Sequence, residues 1–376
     1  MEQVLIIEAE IKRYRAPFYQ GLHAALQSVG IQMTVAYSEP RSIEKTKHDQ
    51  CDLPSEYGMK VKGYRILNKL LLQPLFRQVA MADLIIADEG NRYLLNHLLL
   101  PFSACKLKKL ALWGMGENRQ SSRTTFSEWY KIKTIRFVTW WFAYTSGTAE
   151  QLIKNGFPRE RITTVQNAID TRKLSRSVAK FSEYEVLHAR TEIGIPPSAP
   201  IGVYCGMLKK VKNIPFLLEA AKLVRKRISD FHLVLVGGAA EYPCIEEQLR
   251  YHREWIHWVG PKFGAEKALF LRMGDVFMMP SGVGLAILDS FAAGLPLFTT
   301  QIPVHGPEVE YLENGRNGVI TEADAELYSH AVIDVLCNPP KLAALKEGAL
   351  RSCEKYSIET MVDNFFRGIR DCLSRG

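Results

Sequence analysis

Short apolar runs of strand length alternate with longer segments of helical period along the whole chain, and the series runs through twice. Val4–Glu8, Met33–Tyr37, Leu84–Ala87, Leu110–Trp113, Phe142–Thr145 and Ile162–Val165 read as strands of the first series. Most are nearly continuous in apolar residues, as expected of parallel strands covered on both faces. Helices are expected over Ala16–Val29, ended by Gly30, and over Thr148–Asn155, ended by Gly156 and Pro158. A polar stretch after Asp170 then leads into Gly194-Ile-Pro-Pro-Ser-Ala-Pro200, a stiff connector. Beyond it come strands at Ile201–Tyr204, Phe231–Val236, Val276–Met279 and Leu297–Thr299, with helices at Ile214–Lys226 and Leu285–Ala293. Ser357–Leu373 carries Met361, Phe365, Phe366 and Ile369 at helical spacing and reads as an amphipathic helix.

The expected fold is therefore α/β, with two doubly wound Rossmann-like domains, and the length of 376 residues suits two cores. The boundaries expected are 1–172 for the first domain, 173–199 for a linker, 200–355 for the second domain and 356–376 for the C-terminal helix. Such domains bind ligands at the carboxyl ends of their strands, in a cleft that closure about the linker would dry.

Composition excludes several classes. No apolar stretch approaches the ~20 residues of a membrane span. Met1 leads into the first strand without a basic start or a cleavage site, so no signal peptide is expected. Cys51, Cys105, Cys205, Cys244, Cys337, Cys353 and Cys372 contain no CxxC pair and lack a histidine at ligand spacing. They suggest neither a metal site nor a disulfide framework, and they suit a reducing cytoplasm. The net charge of +8 lies almost wholly in residues 1–170, which hold 23 Lys and Arg against 16 Asp and Glu. Different partners for the two halves follow. No nucleic-acid motif accompanies the basic half, so a nucleic-acid partner is not expected. Its aromatic-basic stretches, Tyr64–Arg77 and Trp129–Trp141, suit an anionic membrane surface; alternatively their leucines are core and their charges a solvated rim.

The densest information lies in Asp275-Val-Phe-Met-Met-Pro-Ser-Gly-Val-Gly-Leu-Ala-Ile-Leu-Asp-Ser-Phe-Ala-Ala-Gly-Leu-Pro296. Physically this is a strand, a glycine bend at Gly282 and Gly284, and a helix with the carboxylate of Asp289 near its start. Glycines there let main-chain N–H groups approach a phosphate, and a carboxylate can accept from both hydroxyls of a ribose. A bare Gly-x-Gly after a strand is also compatible with a simple tight turn.

Taken whole, the segment resembles the signature of the GT-B glycosyltransferases, in particular the large retaining family 4, also called glycosyl transferases group 1. That pattern is a strand "ADVFVxPS", a turn "EGFG" and a helix "LxxLEAMAxGxP". Further stretches are similar to the family's motifs: Gly206–Ala221, Phe231–Gly238, Trp258–Gly260, and Tyr144–Asp170 with its Gly156-Phe-Pro158 and Asn167. The resemblance implies two domains facing each other across a cleft, with the C-terminal helix crossing back to the first.

It also implies transfer of a sugar from a nucleotide-sugar to a glycan or lipid-linked acceptor, with retention at the anomeric carbon and without a metal or other cofactor. The departing phosphate oxygen is then the base for the acceptor, and no catalytic side chain is assigned. Donor contacts are expected from Asp289 on the ribose and from Gly284, Leu285 and Lys212 on the diphosphate, with Lys209, Met207, Ser281, Gly282 and Val283 around them. Arg13, Arg15, Met115 and Glu308 are candidate acceptor or sugar contacts. His305, in a His-Gly-Pro-Glu element, reads either as a backbone-capping loop residue or as a family element. Three positions depart from the pattern: Ser281 stands at the family's first glutamate, Met207 at its phosphate-binding arginine, and Met115 where relatives place a histidine. A non-catalytic or weakly active GT-B subunit that binds a nucleotide or a partner glycosyltransferase is the alternative. The cytoplasm, or the inner membrane face as a peripheral protein, is the location implied.

Overall fold

The run Val4–Ile7 is buried and paired along both of its edges by parallel strands. In the structure, a computed structural model that describes residues 1–39, 49–67, 70–116, 134–239 and 245–375, strand β1 (Gln3–Ile7) pairs in parallel with β2 (Gln32–Tyr37) and β6 (Leu84–Asp88). Between them in sequence lie β3 (Gly58–Lys60), β4 (Tyr64–Ile66) and β5 (Leu70–Leu72), of which β4 and β5 form a small antiparallel pair. With β7 (Lys109–Gly114), β8 (Trp140–Ala143) and β9 (Ile162–Thr164), the described residues make a parallel sheet in the order β3-β2-β1-β6-β7-β8-β9. Cys244 and positions 129–133 of the aromatic-basic stretch lie outside the described residues.

The chain divides into two compact units, Met1–Ile169 with Ile358–Gly376, and Asp170–Ser357. In the first unit the helix Ile358–Ser374 supplies an aromatic knot. Phe365 stacks on Phe142 with centroids 4.5 Å apart and meets the edges of Phe18 and Trp113 at 4.9 Å each. Phe18 comes from the helix Ala16–Gln27, Trp113 from β7 and Phe142 from β8, so four segments share one core.

The second unit holds a parallel sheet in the order β12-β11-β10-β13-β14-β15. Its strands are β10 (Ile201–Cys205), β11 (His232–Val236), β12 (Ile256–Gly260), β13 (Val276–Met278), β14 (Leu297–Thr300) and β15 (Gly318–Thr321). Gly237, just past β11, has φ of +151°, and a Cβ there would sit 1.9 Å from the Gly206 carbonyl oxygen, so only glycine lets the loops after β10 and β11 pack together.

The expected linker is corrected by this structure. Residues 173–199 lie in the second unit as part of its body, in the helices Thr171–Ala179 and Glu183–Glu192. Asp170 accepts from the Lys173 N–H at 2.9 Å to cap the first, and Ser182 forms a capping box with Glu185 on the second. Arg190 then ties the proline segment down, donating to the carbonyls of Pro197 at 2.7 Å and Met273 at 2.6 Å. The unit boundaries accordingly fall at 169/170 and 357/358, instead of 172, 199 and 355. The proline segment is thereby packed onto the second unit.

Candidate functional site

In each sheet the strand order reverses direction at one point, between β1 and β6 in the first unit and between β10 and β13 in the second. At such points the loops leaving adjacent strands diverge and open a crevice at their carboxyl ends. The residues singled out in the second unit lie on the loops after β10, β13 and β14, apart from Asp289 on the helix that follows the second of these loops.

The loop after β13 is a bend pinned from beneath. Ser281, buried at 4% exposure, donates its hydroxyl to the Val211 carbonyl at 2.6 Å. Gly282 has φ of +62°, and a Cβ there would press to 2.9 Å on the same Val211 oxygen, so the turn requires glycine. The Val283 N–H donates to Nδ1 of His305 at 3.0 Å, and Nε2 of His305 lies 2.7 Å from the Thr300 carbonyl. That pair of contacts defines the neutral tautomer with its proton on Nε2. Burial, together with Lys212 nearby, holds the imidazole below its ordinary range against the opposing pull of the Thr300 carbonyl. His305 thus caps the loop, and the Gly306 N–H adds a bond to the Val283 carbonyl at 2.6 Å.

Two of the expected donor contacts are corrected. Ser281 points into the protein and Val283 spends its N–H on His305, so both position the bend rather than present themselves to a ligand. What remains accessible is the next stretch. Gly284 and Leu285 are half-buried, and among the described residues no group accepts from either N–H.

Lys212 closes the other side. It ends the short turn Lys210–Lys212, after which Asn213, in the left-handed region at φ of +48°, starts the helix Ile214–Arg227. Its ammonium folds onto the Gly282 carbonyl and lies 3.7 Å from the Met279 sulfur, both neutral acceptors. Burial and the repulsion of Lys209 lower its pKa to about 8, with Glu308 pulling the other way. Glu308 is itself buried, with Oε2 3.7 Å from where a Cβ on Gly284 would stand. Met207 contributes only its carbonyl to a bond from the Tyr204 hydroxyl at 3.0 Å, and Lys209 is half-buried at the start of the turn.

Asp289, on the short helix Ala286–Ala292, is paired with Lys267 at 2.6 Å. Lys267 belongs to the helix Gly264–Arg272 and was not among the sequence candidates. Burial alone would lower its pKa, but Asp289, Cys205 and the hydrogen bond to Asp289 outweigh it and raise the pKa. The Cys205 thiol beside them is pushed up to about 12, by burial first and Asp289 second. Nothing in residue spacing links positions 267 and 289; their pairing depends on two helices converging in space.

In the first unit the carboxyl ends of β1, β6, β7 and β8 surround a polar cavity of about 210 Å³. Arg15 lines it, buried at 7% exposure, with its guanidinium 4.7 Å from the Trp113 ring centre and 5.8 Å from that of Tyr144. Glu8 accepts from the Tyr19 hydroxyl at 2.7 Å, and burial together with the nearby charge of Asp88 raises its pKa to about 7. Trp113 lines the same cavity with a buried indole N–H that has no acceptor among the described residues. Arg13 and Met115 are exposed and do not line this cavity. Glu8 and Asp88 escaped the sequence reading, although each is an acid ending an apolar strand run, which is the signal that marks them. Among the described residues no group of three or more His, Cys, Asp or Glu is placed to hold a metal ion, and no helix is long and apolar enough to cross a membrane.

The bend, its lysine and its surrounding strands fall inside a recognised unit. Residues 199–338 match the family model of glycosyl transferases group 1. That match covers most of the second unit. Among curated relatives, the alpha-monoglucosyldiacylglycerol synthase of Acholeplasma laidlawii is 23% identical over 202 residues, covering 52% of this chain and 49% of that protein. A D-inositol 3-phosphate glycosyltransferase of Corynebacterium urealyticum is 27% identical over 215 residues, covering 54% and 49%. The chain spans about half the length of these relatives. Solved structures share the fold over the full chain. A glycosyltransferase from Rickettsia africae superposes with a TM-score of 0.73 at 13% identity, covering 100% of this chain and 99% of its own. Anabaena HepE, solved with UDP and glucose, gives 0.70 at 14% identity, covering 98% and 100%. The fold is GT-B, built of two Rossmann-like units, the second of which holds the matched segment.

Proposed function

We propose that the protein is a retaining glycosyltransferase, moving a sugar from a nucleotide-sugar to a glycan or lipid-linked acceptor. One observation carries the donor side. The N–H groups of Gly284 and Leu285 lack internal acceptors, on the same bend where a half-buried ammonium rests on neutral partners. A diphosphate supplies the missing acceptors, and a negative charge stronger than the nearby Glu308 alone, together. It would draw Lys212 off the Gly282 carbonyl and return its pKa toward the ordinary lysine value. Asp289, oriented by Lys267, is placed to accept from the ribose hydroxyls. Charge that develops on the departing diphosphate meets main-chain dipoles already fixed by Ser281 and His305, which lowers the barrier without reorganisation.

The acceptor is assigned to the cavity of the first unit. Its 210 Å³ exceeds the ~150 Å³ known to hold a benzene ring, which leaves room for one pyranose. Glu8 and Asp88 offer acceptors to hydroxyls, and the aromatic rings offer apolar faces. A lipid-linked acceptor would place the reaction at the cytoplasmic face of a membrane.

Calorimetry with UDP, GDP and ADP, followed by slow hydrolysis of the matching nucleotide-sugar without acceptor, tests the proposal. Binding of a diphosphate with release of sugar is expected. Binding without any turnover would leave a nucleotide-binding subunit, and no binding would remove the donor site.

A further inference from the structure

At the amino ends of β7, β8 and β9, the opposite end of the first sheet from its cavity, a second depression of about 350 Å³ gathers cations from four segments. Lys106, Lys108, Lys109, Arg136, Arg161 and Arg375 line it, and among the described residues no Asp or Glu does. Their contacts leave the charge intact. Lys108 donates to the carbonyls of Ala80 at 2.6 Å and Ala82 at 2.9 Å, and Lys109 to that of Leu373 at 2.7 Å. Arg161 lies over Phe157, and Arg375 lies over Trp140 at 5.2 Å. Lys106 and Arg136 are exposed. Carbonyls and aromatic faces orient a cation but do not neutralise it, so a net positive field projects from one end of the unit.

The rim is apolar as well as basic. Phe137, which lines the depression, is 43% exposed, and Leu107, between two of the lysines, is 68% exposed. A dissolved anion would use the cations and leave both hydrophobic side chains in water. A lipid bilayer with acidic headgroups satisfies both, with headgroup phosphates against the cations and the two side chains at the acyl boundary.

We propose that this face docks the protein on an anionic membrane surface. The inference stands apart from the lipid-linked acceptor reading, because this face lies at the other end of the sheet from the acceptor cavity and charge and exposure alone carry it. No bound nucleotide or acceptor is needed for it to be tested. The intact chain is floated with vesicles of phosphatidylcholine, with and without phosphatidylglycerol. Binding only to the mixed vesicles, falling with salt, is expected.

Lys106→Asn, Arg136→Gln and Arg375→Gln, residues that touch no part of the candidate donor or acceptor sites, are each expected to weaken partition about five-fold. Leu107→Ser with Phe137→Ser should weaken it further at high salt, where the charge contribution is screened. Equal binding to neutral vesicles, absence of binding, or unchanged partition of the folded triple charge variant would overturn the proposal. So would release by millimolar inorganic phosphate, which marks a free-anion pocket, or salt-sensitive DNA binding without vesicle binding. Nucleoside diphosphate affinity, measured on the same preparations, keeps the two questions apart: its loss speaks against the donor site and leaves the membrane face standing.

Discussion

At the scale of single residues, the protonation of two half-buried groups bears on what each candidate site does. Lys212 has been lowered to about 8, so its charge is lost within an accessible range. Nucleoside diphosphate affinity should therefore fall as pH rises through about 8, because the neutral amine no longer attracts phosphate. Lys212→Arg stays charged throughout and should flatten that profile, whereas Lys212→Ala should lower affinity at pH 7 by roughly 1.5–3 kcal/mol, typical of a charge-assisted contact. Calorimetry at a series of pH values reads both effects, and a pH-independent wild type would exclude Lys212 from the contact. Asp289→Asn should weaken binding by a similar factor while exposing Lys267 as an unpaired cation, so its melting temperature should also drop.

Glu8 behaves with the opposite sign. Its folded pKa of about 7 lies above the ordinary carboxyl value, so the folded state holds the proton more tightly than the unfolded chain. Stability contributed by that proton is complete below the unfolded value of 4.5 and is lost as pH climbs to 7. Glu8→Gln cannot ionise and keeps an acceptor for the Tyr19 hydroxyl. It should match wild type at pH 4 and exceed it by as much as ~3 kcal/mol at pH 8, the value of the full shift. Denaturant melts at the two pH values give the comparison.

At the scale of elements, the sequence was most readable where burial on both faces left a continuous apolar run. Val4–Ile7, Leu84–Ala87, Phe231–Val236 and Val276–Met279 match strands to within one residue, because a parallel strand in the middle of a sheet has no polar face to confuse the pattern. Gly58–Lys60 at the sheet edge was invisible, being three residues long and half exposed. The stretch 173–199 was misread for a related reason. Its helices cover the unit with a thin apolar contact, Val178, Val186 and Ala189, under a charged exterior that looks like linker.

The capping signals Asp170 and Ser182-x-x-Glu185 were present and outweighed by the prolines. Arg190→Ala tests the corrected view. It frees the carbonyls of Pro197, Ala199 and Met273, and should cost the second unit about 2–3 kcal/mol. A true linker would show no change in its melt.

The donor bend shows the same division of legibility at finer grain. Glycine positions and the lysine could be picked out because their chemistry is local: a positive φ, a close approach, a charge. Which N–H groups stay available could not, since that depends on Val211 and His305 arriving from loops 70 and 22 residues away to claim Ser281 and Val283.

At the scale of the whole molecule, each unit carries one part of the proposed reaction and is held by its own core, and the chain's last helix serves the first. Phe365 packs on Phe142, Phe18 and Trp113, and Trp113 also lines the acceptor cavity. Phe365→Ala empties the centre of that knot and should destabilise by roughly 3–5 kcal/mol, as large-to-small aromatic changes in cores do. Hydrogen exchange on the intact chain separates the consequences. Protection should fall across β1, β6, β7, β8 and the helix Ala16–Gln27, while β10, β11, β13 and β14 keep theirs. A nucleoside diphosphate should still protect segments 206–212 and 279–289 in this variant, since none of those residues touches the aromatic knot. Loss of that protection along with the first unit's would mean that the nucleotide is not held by the second unit's bend alone.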